Sequence, residues 1–204
     1  MPIPVVSDPW SETEPDRAWS TLSAEEKHER ILCTAYRLFS EQGLDAPMPA
    51  VAARAGAGVG SLYRQFPSKH ELLAAIVQRR LEQIHEAAVA ANLRPGSRWR
   101  ALTEMLWAIM GRQHGDAILG QAWPLVADHA DVMLATDRVQ RAVEQLLAAA
   151  RAEGSIRPDA TADDIRLVFT ATRSTSHIGT DAWKRMLELL IDGLRRQAPE
   201  RECR

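Results

Sequence analysis

The sequence has few of the groups that would support a disulfide framework, a thiolate metal site or a membrane span. Its only cysteines among 204 residues, Cys33 and Cys203, lie far apart, which fits a reducing cytoplasm. No apolar run reaches the roughly 18 residues of a membrane span. The N-terminus is acidic and lacks the basic and then apolar order of a signal peptide. We therefore expect a cytoplasmic protein without a membrane partner.

Strand patterns and catalytic motifs are missing as well. No segment alternates β-branched with polar residues, and aromatic residues make up 5% of the chain. Alanine, leucine, arginine and glutamate are abundant, which favours helix. The sequence has no Gly-x-Ser-x-Gly elbow, no His-Glu-x-x-His and no phosphate loop. We predict an all-α chain that is not an enzyme and binds no cofactor.

Helix signals divide the first half of the chain. Ser23 to Glu26 reads as a capping box, and the apolar stripe behind it can end in a left-handed cap at Gly43. Two short helical stripes follow. A second capping box, Ser68 to Glu71, opens a long helix. If this helix continues to Ala91, it is about 36 Å long at 1.5 Å per residue.

The second half predicts further helices. Pro95 and Gly96 mark a break, and Gly120 with Pro124 predicts short or kinked helices there. A longer helix stops near Gly154, and Thr161 opens the penultimate one. The whole pattern predicts about nine helices and no sheet. The corresponding domains are a flexible tail at 1–22, a helix-turn-helix domain at 23–80, a ligand-binding and dimerisation domain at 81–197 and a C-terminal tail at 198–204. Trp10 and Trp19 could dock the first tail on the body.

One window of the chain contains no acidic residue. Between Ala46 and His70 the sequence has Arg54, Arg64 and Lys69 but no Asp or Glu. Because the formal net charge is −2 and the pI about 6.3, nucleic-acid binding cannot rest on overall basicity. A helix-turn-helix without local negative charge suits a surface that meets phosphates.

The glycines of this window have a competing interpretation. Gly56, Gly58 and Gly60 resemble part of a dinucleotide fingerprint, which requires a preceding strand. The preceding residues, 51–55, are alanine-rich and helical in spacing. A helix-turn-helix is therefore the favoured interpretation.

Two segments carry a resemblance to a known family. Val51-Ala52-Ala53-Arg54-Ala55-Gly56 and Ser61-Leu62-Tyr63-Arg64-Gln65-Phe66-Pro67-Ser68-Lys69-His70-Glu71-Leu72-Leu73 resemble the DNA-binding domain of TetR/AcrR-family bacterial repressors. The sequence departs from that pattern at Pro47-Met48-Pro49, where such proteins often have threonine, and at Ala57 in the turn. The resemblance implies an N-terminal helix-turn-helix domain joined by a long helix to a helical bundle that binds ligand and dimerises.

The resemblance also implies roles for individual residues of the third helix. Val59, Gly60 and Tyr63 fall at positions that often meet bases in the major groove. Ser61, Tyr63 and Lys69 fall at positions that often contact phosphates, and Arg64 adds positive charge. Tyr63 could instead be a core aromatic. Since Leu62 and Phe66 already fill the inward face, the surface is the preferred position for Tyr63.

The candidate effector site lies in the C-terminal half. Trp107, Met110 and His114 share one helix face and, with Trp123, combine large apolar groups with one imidazole. This set suits a small, mostly apolar ligand, although such a stripe is also typical of plain core. Arg173 and His177 could close a pocket or pair across an interface, or simply face solvent.

The last helix supplies the candidate dimer interface. Its apolar stripe recurs at helical spacing and consists of Trp183, Met186, Leu187, Leu190 and Leu194. It predicts a two-fold homodimer that matches a palindromic operator, although internal core packing could absorb the stripe.

No metal site is predicted from the histidines. Asp128-His129-x-Asp131 resembles half a site but lacks a second cluster. His28, His70 and His85 lie on charged helix faces.

These features predict a ligand-responsive transcriptional repressor that binds double-stranded DNA as a homodimer and is released by a small effector. The alternative is a helical small-molecule-binding protein without operator function. Tyr63 and Lys69 at their positions favour the repressor. The sequence does not name the effector, the operator or the regulated genes.

Overall fold

The computed structural model describes Trp10 and residues 17–113, 117–175 and 178–195. Over these residues the chain forms a short 3-10 helix, Trp19–Thr21, and nine α-helices, and it has no β-strand. One isolated bridge joins Ile156 to Arg195. The α-helices are α1 Ala24–Gln42, α2 Met48–Arg54, α3 Val59–Gln65, α4 Lys69–Leu93, α5 Arg98–Gln113, α6 Ala117–Val126, α7 Ala130–Ala152, α8 Ala162–Arg173 and α9 Ala182–Leu194.

Local sequence signals explain where the helices begin. In α1 the Ser23 hydroxyl accepts from the N–H of Glu26 at 3.1 Å, and the Glu26 carboxylate accepts from the N–H of Ser23 at 2.7 Å. Thr161 and Asp164 form the same reciprocal pair at the start of α8. Each box satisfies N–H groups that the first helical turn leaves without an intrahelical partner. In α6, Gly120 and Pro124 are both contained in one helix of 10 residues.

Glycine ends the first helices of the chain. Gly43 follows α1 with a φ of +82°, and its N–H donates to the carbonyl of Phe39 at 2.9 Å. Gly56 follows α2 with a φ of +67°. Positive φ is nearly free of strain only for glycine, so these residues let the chain reverse direction between α1, α2 and α3.

Backbone contacts divide the chain into two compact units. The head unit contains Trp10, 17–83 and 117–136, and the body unit contains 84–113, 137–175 and 178–195. Helix α4 contributes to both, since the division falls after Gln83. The units differ from the expected domains because α6 and the start of α7 group with the helix-turn-helix.

Trp10 lies in the segment that we expected to be a flexible tail, yet it is buried in the head unit. Its ring stacks on Tyr36 with centroids 4.1 Å apart, and the guanidinium of Arg79 lies 5.4 Å from the Trp10 ring centroid. Arg37 donates to the Trp10 carbonyl at 2.7 Å. Trp10 is thus part of the packed head.

The body unit has one apolar core, to which α4, α5, α7, α8 and α9 contribute. Trp183, Leu187 and Leu194 of α9 are buried in this core, while Met186 and Leu190 are half-buried. Trp183, Leu187 and Leu194 therefore stabilise their own chain, and a role of the α9 stripe in a dimer stays a prediction.

None of the described helices is both long enough and apolar enough to cross a lipid bilayer.

Candidate nucleic-acid interface

Helix α3 presents an outer face of small and aromatic side chains. Val59 is 45% exposed and Tyr63 42% exposed. Gly60 lies between them, and a Cβ added there would meet no atom within 4 Å. Leu62 is fully buried, and Phe66 is buried just after the helix. These two anchors orient α3 so that Val59, Gly60 and Tyr63 face outward together.

Polar groups border this face. The Arg64 guanidinium donates to the Ser61 hydroxyl oxygen at 3.0 Å. A hydroxyl that accepts one hydrogen bond still has its own proton to donate, so Ser61 can donate to an anion. The ammonium group of Lys69 lies 5.5 Å from the ring centroid of Phe39, and the contact orients the cation at the start of α4.

The third cation of the acid-free window is paired with an acid outside that window. Arg54 at the end of α2 donates twice to Glu41 of α1, once at 2.7 Å. The Arg54 hydrogen bond holds the pKa of the Glu41 carboxyl below its ordinary value. Arg54 therefore ties α2 to α1. Helical spacing in the sequence does not reveal this pairing, because the two residues are 13 positions apart.

The candidate effector residues are distributed over both units. Trp107 and Met110 lie on α5, where Met110 is buried and Trp107 is half-buried. The rings of Trp107 and Trp183 are 5.8 Å apart at 60°, so both belong to the apolar body core. Trp123 is a half-buried residue of α6 in the head unit. Arg173 is half-buried at the end of α8, and His114 and His177 lie outside the described residues.

A second group of polar side chains meets within the head unit, at the start of α4. His70 and Glu71 of α4 lie beside His129, which precedes α7, and their ligand-type atoms are all within 4.8 Å of one another. No spacing pattern reveals this group, because Glu71 and His129 are 58 positions apart.

Two family models match this chain. Residues 31–76 match the model described as bacterial regulatory proteins of the tetR family, and residues 96–196 match the C-terminal domain of SbtR-like transcriptional regulators. The HTH-type transcriptional repressor KstR of Rhodococcus jostii is 33% identical over 193 residues, which cover 87% of this chain and 89% of KstR. The chain belongs to the TetR family. Mycolicibacterium smegmatis KstR is 31% identical over 137 residues, which cover 66% of this chain and 67% of that protein.

Solved structures of TetR proteins share the fold. The regulator SCO0520 of Streptomyces coelicolor is 28% identical, with a TM-score of 0.61 over 84% of this chain and 99% of that one. The ketosteroid transcriptional regulator KstR2 of Mycobacterium tuberculosis is 19% identical, with a TM-score of 0.62 over 89% and 100%. These similarities confirm the expected all-α TetR architecture with an N-terminal helix-turn-helix domain.

TetR proteins are DNA-binding transcriptional regulators and not enzymes, so the family confirms both of these predictions for the chain. Its members usually act as dimers with small-molecule effectors. The roles of individual residues in this chain remain predictions.

Proposed function

We propose that this TetR protein is a repressor that binds a palindromic operator as a homodimer in the cytoplasm and is released by a small, mostly apolar effector. The observation that carries the proposal is the α3 face, where Val59, Gly60 and Tyr63 are exposed within a window free of acids. The 33% identical relative KstR is a transcriptional repressor, which supports repression as the outcome.

The chemistry of the face favours a particular mode of sequence recognition. Val59 offers methyl groups and Gly60 offers only backbone, so neither can make the bidentate hydrogen bonds that read guanine or adenine. Apolar contact with thymine methyl groups and the shape of the duplex remain available to them. Ser61, Tyr63 and Lys69 would hold phosphates on either side and fix the register of α3 in the groove.

The proposal is tested by titrating labelled DNA from upstream of the protein's own gene at several salt concentrations. Replacing Lys69 with alanine removes one phosphate contact. We expect weaker binding to every sequence and a log–log salt slope smaller by about 1. Lys184→Ala is the matched control, because Lys184 lies on α9 and pairs with Asp181 at 2.7 Å. Salt-independent binding of the wild-type protein, or equal effects of the two variants, would contradict the proposal.

For the homodimer, the outer faces of α8 and α9 are the proposed interface. Leu167 on α8 is 63% exposed and Leu189 on α9 is 51% exposed, although both helices bury their other apolar face. Leu190 follows Leu189, Met186 lies three residues before Leu189, and both are half-buried. An isologous contact of the two helices with their copies gives the two-fold symmetry that a palindromic operator requires.

The proposed effector site lies beside Trp107 and Met110. Their aromatic and thioether side chains suit a flat apolar compound. His114, Arg173 and His177 remain candidate contacts for its polar group. The apolar side chains of Trp107 and Met110 suit the body of such a ligand, and one titratable side chain suits its single polar group.

A further inference from the structure

We propose that His70, Glu71 and His129 form a binding site for a divalent transition-metal ion, with Zn²⁺ as the reference ion. The three side chains come from two segments of the head unit, the first turn of α4 and the residue before α7. The three residues are not among those proposed to contact DNA or the effector, and the proposal goes beyond the proposed function.

The arrangement of the ligand atoms is close to that of a metal site. All three candidate ligand atoms lie within 4.8 Å of one another. Nε2 of His129 is 3.2 Å from a carboxylate oxygen of Glu71. Zinc bonds of about 2.0–2.1 Å in a tetrahedron place neighbouring ligand atoms about 3.3 Å apart. The distance between Nε2 of His129 and the Glu71 carboxylate oxygen already matches this spacing. The His70 ring is exposed and can move the remaining distance.

The cap of α4 leaves the Glu71 carboxylate available. Ser68 accepts from the Glu71 N–H at 3.1 Å, which is one half of the capping box that the sequence predicts. In the complete box the Glu71 side chain would reach back to the Ser68 N–H. In the structure that carboxylate lies beside His129 instead. Glu71 therefore faces two imidazoles, and the ring centroids of His70 and His129 are 5.6 Å apart.

Asp131 supplies the outer contact that a metal-bound imidazole needs. The Asp131 N–H donates to Nδ1 of His129 at 3.3 Å, which assigns the proton of the neutral ring to Nε2. A metal on Nε2 replaces that proton, and the neutral ring then carries its proton on Nδ1. Nδ1 then no longer accepts from the Asp131 N–H, and the Asp131 carboxylate, 4.0 Å from Nδ1, becomes the acceptor of the Nδ1 proton after a small shift. This is the carboxylate–histidine–metal arrangement of many zinc sites.

The ligand set selects the class of metal. Two imidazoles and one carboxylate suit Zn²⁺, Ni²⁺, Co²⁺ or Cu²⁺, whereas Mg²⁺ and Ca²⁺ prefer oxygen ligands alone. Three protein ligands leave one position of a tetrahedron for water. The His129 side chain is only 16% exposed, so burial restrains this ligand before a metal arrives.

The first experiment measures Zn²⁺ binding to the untagged, metal-free full chain by competition with a chromogenic chelator. We expect one strong site per chain, no competition by Mg²⁺, and a Co²⁺ derivative with the intense visible absorption of a tetrahedral site. Changes of outer-shell groups typically weaken metal binding by about 10- to 100-fold, and we expect a loss of this size for Asp131→Asn. His129→Ala and Glu71→Gln each remove a ligand atom, so each should weaken Zn²⁺ binding by at least as much. Glu71→Gln retains the size of the side chain, so it tests the site even if His129→Ala folds poorly.

His85→Ala is the control. Nδ1 of His85 lies 3.2 Å from the carbonyl oxygen of Arg138 in the body unit, so its removal should leave Zn²⁺ affinity unchanged. Equal affinities of the wild-type protein, Glu71→Gln and His129→Ala would place any bound zinc elsewhere and overturn the proposal. Binding only at millimolar Zn²⁺, or Co²⁺ spectra of an octahedral aquo ion, would also overturn it. None of these measurements involves DNA, so their failure is distinct from a failure of the proposed function.

Discussion

At the scale of single residues, the two glycines that flank the α2–α3 turn differ in whether their backbone conformation requires glycine. Gly56 has a φ of +67°, whereas Gly60 is in the first turn of α3. A Cβ at either position would meet no neighbouring atom within 4 Å. Backbone conformation therefore decides the effect of adding a methyl group at each position.

We expect Gly56→Ala to destabilise the protein by about 1–2 kcal/mol, because a left-handed conformation is costly for any residue with a Cβ. Gly60→Ala should stabilise it by up to about 1 kcal/mol, because alanine loses less backbone entropy in a helix. Urea unfolding of both variants measures the two effects. If both substitutions shifted stability in the same direction, the conformation assigned to the turn would be wrong.

At the scale of elements, the two faces of α9 separate protomer stability from association. Leu187 is fully buried in the body core, and Leu189 is 51% exposed two residues further on. The outer face of α9 therefore carries an apolar side chain that the body core leaves uncovered.

We expect Leu187→Ala to lower the free energy of unfolding by about 2–5 kcal/mol through the cavity it leaves. Leu189→Glu should instead give a folded protein that is monomeric, because it places a charge in the proposed interface. Light scattering at micromolar concentration, together with circular dichroism, distinguishes these outcomes. A dimer of unchanged mass in Leu189→Glu would exclude this face as the interface.

The elements also show which parts of the fold can be predicted from sequence. The starts of α1 and α8 follow from capping boxes, since these bonds join residues three apart. The stripe of α9 predicts a buried face but not its partner. Apolar periodicity is the same whether a helix packs on its own core or on a second copy, so the sequence could not show that Trp183, Leu187 and Leu194 pack in the body core.

At the scale of the whole molecule, contacts between segments that are far apart in sequence could not be predicted from local sequence patterns. The packing of Trp10 on Tyr36 depends on how the chain folds back on α1. The meeting of Glu71 with His129 depends on where α6 ends relative to α4. Neither contact leaves a local pattern. The outward face of α3 was predictable, because Leu62 and Phe66 mark the inward side four residues apart.

The whole-molecule prediction concerns release from DNA by an effector. A panel of small apolar compounds is screened by thermal shift, and each stabilising compound is tested for release of the operator. We expect Trp107→Ala to weaken binding of such a compound and to reduce the release. Trp99→Ala is the control, since Trp99 packs against the same core from the start of α5. If Trp107→Ala retained wild-type affinity and release, Trp107 would be only a core residue.

Helix α4 has one more consequence, which follows from its continuity. Its 25 residues include neither glycine nor proline, and they extend from Lys69 in the head unit to Leu93 in the body unit. An unbroken ladder of backbone hydrogen bonds resists torsion, because rotating one turn against the next would break several bonds at once. Neither end of α4 can therefore rotate about the helix axis independently of the other end without breaking part of this ladder.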